Sequence, residues 1–224
     1  DARLRRARGR HPGVRRPGRL HQLQLPVHGR LDPRRPRQRD RADHLGDLTD
    51  FGSTLEYSLA RERLQRLRKP FVVMQGNHDC LGTGNEVYAK MFGNNDFSFI
   101  AGRVKFIMIN TNAIEYDYSE PVPDFDFLEA EATRDSALFD RSVACMHAAP
   151  YSEQFNNNVL KPFNYYVMNF PNLMFCLYGH GHQIDEHDFF NNGIIYYEVA
   201  AAKKRKYRIF TITPNGYANE VISL

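Results

Sequence analysis

From residue 44 onward, apolar and polar positions switch between a helical period and short continuous apolar runs. Residues 54–68 carry Leu55, Leu59, Leu64 and Leu67 at near-helical spacing with charges between them, and Pro70 ends the pattern; a helix is predicted. Phe71-Val-Val-Met-Gln75 is a short apolar run before a Gly-Asn turn and predicts a buried strand. A short helix is expected over 85–92, a strand pair over 97–100 and 104–110, and a longer helix over 124–138. Residues 142–146 read as another buried strand and 159–170 as a helix stopped by Pro171. Apolar stretches at 173–178, 194–199, 207–213 and 218–223 predict a strand-rich C-terminal half, with Pro214-Asn-Gly216 turning between the last two. Helices and strands interleaved in this way predict an α/β (α+β) fold with two sheets and helices outside.

Composition changes the picture at one end only. Residues 1–43 hold 14 Arg, no Lys and 4 Asp, a net charge of +10, so the other 181 residues carry about −6 of the overall +4. That segment uses nine residue types, and all nine can be encoded by codons beginning with C or G. An out-of-frame translation with the true frame regained near His44 explains this vocabulary; a disordered Arg/Pro-rich arm is the alternative. A basic arm of this kind is also the one feature pointing toward nucleic acid, a weak pointer. The expected organisation is an anomalous segment over 1–43 and one domain over 44–224.

The remaining composition sets bounds without choosing a function. A length of 224 residues with 42% hydrophobic content supports one domain with a substantial core. No apolar run approaches the roughly 20 residues of a membrane span. No signal peptide is visible, but an export signal further upstream is compatible with that, so location stays open with the cytoplasm as default. Cys80, Cys145 and Cys176 lack zinc-finger spacing, and the last two sit in apolar runs, so buried free thiols are expected.

Four short motifs carry candidate chemistry: Gly46-Asp47, Gly76-Asn77-His78-Asp79, His147-Ala-Ala-Pro150 and Gly179-His180-Gly181-His182. In the last three an apolar strand pattern runs into a turn bearing metal-ligand side chains, and strand ends are where α/β folds gather functional groups. Glycine before Asp, Asn or His allows a tight turn beside an ion. The i, i+2 spacing of His180 and His182 lets both rings face one site. Carboxylate, amide and imidazole together suit Mn, Fe or Zn.

This ordered set resembles the calcineurin-like metallophosphoesterase superfamily over about residues 44–200. The resemblance implies a four-layer αββα sandwich of two mixed sheets flanked by helices. It also implies hydrolysis of a phosphomonoester or phosphodiester by water activated at two divalent metal ions. By motif, Asp47 is similar to the carboxylate bridging both metals, Asn77, His147 and His180 to the other ligands of one, and His182 to a ligand of the second. His78 resembles the histidine that protonates the leaving oxygen, with Asp79 orienting it. The expected substrate is a small-molecule or nucleotide phosphoester.

Two family features are missing from the sequence. No Asp-x-His occurs in residues 1–46, and Arg34 to Asp43 offers no apolar strand before Gly46. One metal therefore keeps its ligand set while the other retains only Asp47 and His182, which leaves a catalytically impaired protein of this fold as the alternative. Elsewhere, Asp50 fits the N-cap of the next helix better than a ligand. His44 and His187 read as ordinary surface or core histidines. Tyr116, Tyr118, Tyr151 and Asn156 to Asn158 read as surface-loop residues, Asn110 to Asn112 fit a cleft lining and a plain turn equally, and Lys203 to Lys206 read as a solvated basic run.

Overall fold

The computed structural model describes residues 41–224 apart from Tyr118, so nearly all of the anomalous segment lies outside the described residues. Ten strands and four α-helices follow in order: β1 (Ala42–His44), α1 (Thr54–Leu64), β2 (Phe71–Val73), α2 (Gly84–Met91), β3 (Phe97–Ala101), β4 (Val104–Ile109) and α3 (Phe125–Thr133). Then come β5 (Arg141–Met146), α4 (Leu160–Met168), β6 (Leu173–Tyr178), β7 (Glu186–His187), β8 (Tyr196–Glu198), β9 (Lys206–Thr213) and β10 (Gly216–Ser223).

The main sheet has six strands in the order β3-β4-β5-β6-β8-β7, with β4, β5, β6 and β8 parallel and the two edges antiparallel. Its central strands are apolar on both faces, as strands covered on both sides must be. Ile107, Ile109, Ala144, Met146, Cys176 and Tyr178 face α3 and α4. Their alternates Phe106, Met108, Val143, Cys145, Phe175 and Leu177 face a second layer containing Leu45, Met74, Phe210 and Tyr217. That layer consists of the parallel pair β1-β2 and the antiparallel hairpin β9-β10, with no ladder joining them among the described residues. Outside β2, Val73 packs on Tyr57 of α1 and Tyr88 of α2. The order of layers is thus helix, sheet, sheet, helix, in a mixed α/β fold.

Several boundaries differ from expectation for visible reasons. A strand does precede Gly46: Ala42–His44 pairs in parallel with Phe71–Val73, although it lacks an apolar pattern. Arg41 ion-pairs with Asp43 at 2.7 Å and lies 3.6 Å over the Phe106 ring, so the ordered fold reaches back past residue 44. Helix α1 stops at Leu64, and the chain turns so that Pro70 O accepts from Ala42 N at 3.0 Å. Leu55 (69% exposed) and Leu59 face outward, Leu64 packs at the edge of the cluster around Val73, and Tyr57 is fully buried and donates to Asp79 O at 2.7 Å. One aromatic residue that reaches β2 outweighs the leucine periodicity. Helix α3 ends at Thr133 because the buried Lys105 ammonium caps the carbonyls of Glu131 (2.7 Å) and Arg134 (2.8 Å). All three cysteines are buried free thiols. Among the described residues no helix is long and apolar enough to cross a membrane.

Candidate metal centre

The four motif loops leave the C-terminal ends of β1, β2, β5 and β6, all on the same side of the two inner layers. They are laced together before any side chain acts. Gly179 N donates to His147 O at 3.0 Å, and Met74 N to His44 O at 2.9 Å. Gly46 sits at φ +104°, and a Cβ at Gly76 would overlap the Asp47 carboxylate. Glycine is required at the first for its backbone and at the second for the close approach. Asp47, His180 and His182 all adopt positive φ of 57–64°, a region sparsely used by such residues and concentrated at functional sites.

Three of the expected ligands, Asn77, His147 and His180, converge with the carboxylate of Asp47. His147 Nε2 lies 3.0 Å and His180 Nδ1 3.1 Å from the same Asn77 Oδ1. Asp47 Oδ1 is 3.4 Å from His147 Nε2. The far nitrogens decide what these atoms are. His147 Nδ1–H donates to Leu45 O at 2.6 Å and His180 Nε2–H to Glu153 Oε1 at 2.8 Å. In the neutral ring each near nitrogen then carries a lone pair, aimed at an amide oxygen that is itself an acceptor. Burial lowers the His147 pKa to about 4 against the opposing pull of Asp47, so that ring is neutral at pH 7. Acceptors collected on one point fit a cation, and spacings near 3 Å match neighbouring ligands on bonds of about 2.1 Å. Among the described residues no three His, Cys, Asp or Glu side chains close on a point by themselves; the convergence runs through the amide of Asn77.

The other side of Asp47 is sparse. His182 Nε2 approaches Asp47 Oδ2 only to 3.9 Å, and its side chain is 45% exposed.

His78 and Asp79 part company. The Asp79 carboxylate accepts from Leu48 N (3.0 Å), Thr49 N (2.8 Å), Thr49 Oγ1 (2.7 Å) and Gly76 N (2.9 Å). Fully buried, it ties the Gly46-Asp47 loop to the Gly76-Asn77 loop, and no hydrogen bond joins it to the His78 ring. The expectation that Asp79 orients His78 is therefore corrected: His78 Nδ1 lies 3.0 Å from Asp50 O and 3.4 Å from its carboxylate. The Asp50 carbonyl, ahead of a smaller burial effect, raises the His78 pKa. Asp50 in turn is not the N-cap of α1; Ser53 is, in a reciprocal capping box with Glu56.

The remaining loop residues sort by burial. Asn112 is buried, its Nδ2 donating to Gln75 O at 3.0 Å, and Tyr116 is buried instead of lining a loop surface. Asn157 accepts from Tyr151 N at 2.9 Å. His187 pairs with Asp185 at 3.2 Å on the surface, and Lys203 to Lys206 are exposed. His44 is half-buried, and burial lowers its pKa against the opposing pull of Asp47. Tyr118 lies outside the described residues. Two supporting carboxylates carried no motif signal: Glu153, and Glu198, which accepts from Gln183 N at 2.8 Å under the His180-His182 loop.

A model of the calcineurin-like phosphoesterase family matches residues 35–184, about two thirds of the chain. The chain belongs to that family. Calcineurin-like phosphoesterases as a class are metal-dependent phosphoester hydrolases that bind divalent metals, and the mixed sheet between helices accords with their fold. No curated protein matches the chain significantly. Among similar solved structures is the solution NMR structure of a Thermotoga maritima protein, 12% identical at a TM-score of 0.40 over 82% of this chain and 80% of that one.

Proposed function

We propose that this phosphoesterase hydrolyses a small-molecule or nucleotide phosphomonoester or phosphodiester at a centre of two divalent cations, Mn, Fe or Zn. Asp47, Asn77, His147 and His180 would hold one, and Asp47 with His182 would reach the second. The observation carrying this reading is the turn of the His147 and His180 lone pairs onto Asn77 Oδ1. When bound, such ions supply Lewis-acid stabilisation of phosphoryl oxygens and an acidified water. The chain supplies the proton: with Nδ1 engaged by Asp50, His78 presents Nε2 to the leaving oxygen, and its raised pKa keeps the acid form available nearer neutrality.

A half-open cavity of about 520 Å³ is lined by Tyr151, Asn158, Lys161, Phe189 and Phe190, with none of the candidate metal ligands among its lining residues. Its walls come from the loop after β5, the first turn of α4 and the loop after β7. Aromatic faces with one ammonium suit a compact organic ester. A nucleic-acid role would rest only on the Arg-rich segment.

The sparse His182 side favours a second reading, a protein that holds one metal without turnover. Metal content measured with turnover of p-nitrophenyl phosphate and its bis ester separates the two. Two metals with Mn-dependent hydrolysis are expected; fewer than two with no turnover supports the impaired form. The coding DNA over residues 1–43 tests the out-of-frame origin of that segment.

A further inference from the structure

The two buried-side imidazoles are held in the same way from opposite ends. His147 gives its far N–H to the Leu45 carbonyl, and His180 gives its far N–H to the Glu153 carboxylate at 2.8 Å. Among the described residues the far nitrogen of His182 has no such acceptor. A histidine that donates one ring N–H to a fixed oxygen is locked in one tautomer and one orientation, with its other nitrogen ready to ligate.

Glu153 stands on a turn built to hold it. Tyr151 takes the left-handed conformation at φ 72°. Asn157 clamps the turn by accepting from Tyr151 N (2.9 Å) and donating to Ser152 O (2.8 Å). On the other side Gln154 donates to Glu115 at 3.0 Å, and Phe155 is buried against Phe163. The Glu153 side chain itself is 75% exposed and makes no core contact of its own.

We propose that Glu153 is a positioning residue for the metal centre: its carboxylate fixes the His180 ring so that Nδ1 faces the cation. This rests on the metal-centre reading above. Loss of such a partner typically weakens metal affinity by about 10–100-fold, and the exposure of Glu153 puts the expected effect at the lower end, about tenfold.

The test is Mn²⁺ affinity of the full chain by calorimetry for wild type, Glu153→Ala and Glu153→Gln. The alanine variant should bind about tenfold more weakly, and glutamine, which keeps an oxygen acceptor without the charge, should recover affinity to within about threefold of wild type. The metal-free unfolding midpoint should be unchanged in both, since a merely structural role would lower it. Equal affinity in all three proteins overturns the proposal, as does a glutamine variant no better than alanine, which would leave charge attraction alone. A wild type that takes up no Mn²⁺ sinks the metal-centre reading itself, whereas wild-type binding with an unaffected Glu153→Ala sinks only the role of Glu153.

Discussion

The two sides of Asp47 are built differently. On one, His147, His180 and Asn77 come from three strand ends and approach within 3.1 Å, and the far nitrogens of both imidazoles are held by other groups. On the other, His182 stands alone, 3.9 Å from the carboxylate and half exposed. His180 and His182 share one turn after β6, so what separates them is the acceptor behind the ring: Glu153 holds the far nitrogen of His180, and among the described residues none holds that of His182. Much of the difference comes from the supports behind the tight side. Asp96 Oδ1 accepts from Asn110 N at 2.8 Å, Asn110 Oδ1 from Asn112 N at 3.2 Å, and Asn112 reaches Gln75 O, two residues before Asn77.

The largest expected effect comes from removing a ligand on the tight side. His147→Ala should weaken Mn²⁺ binding by more than about a hundredfold, beyond the range seen for outer-shell partners. Calorimetry at pH 7.5 measures it, and a drop of tenfold or less would erase the contrast between the two sides.

A middle-sized effect should appear in the supports. Burial raises the Asp96 pKa to about 7, against the Asn110 hydrogen bond that lowers it. A carboxyl whose folded value lies above its unfolded value stabilises fully below the unfolded value, near pH 4, and loses that contribution as pH rises through about 7. Asp96→Asn keeps an acceptor for Asn110 N without the charge. Its stability relative to wild type should therefore rise by roughly 2–4 kcal/mol between pH 4 and 8, measured by urea unfolding. A flat difference across that range would remove Asp96 from the account.

The smallest effect is expected at His182, which contributes no atom to the tight cluster. His182→Ala should change Mn²⁺ affinity of that cluster by roughly 0.5 kcal/mol or less. Should it match His147→Ala, the two sides form one cooperative centre and the comparison fails.

Local pattern made the central strands legible. The apolar run at 173–178 became β6, Leu173–Tyr178, unchanged, and 142–146 became all but the first residue of β5. The motif residues were readable for the same reason: turn chemistry after an apolar run survives without knowledge of partners. Burial of a helix face was not readable. The α1 leucines had the right period, yet Tyr57 fills the layer beneath and only Leu64 of them packs against it. Nor was β1 readable, since Ala42-Asp-His44 pairs through its backbone with β2 and has no apolar signature.

The division at the centre has the same origin. The sequence alone determined which residues offer amide, carboxylate and imidazole groups in the motif turns, because those are local facts. Only the tertiary structure decided how they work together. It gave Asp79 to the loops and Asp50 to His78, set Glu153 behind His180, and fixed which imidazole nitrogen carries the lone pair. Those are pairings across 27 to 31 residues of chain, set by which loops the packed layers bring into contact.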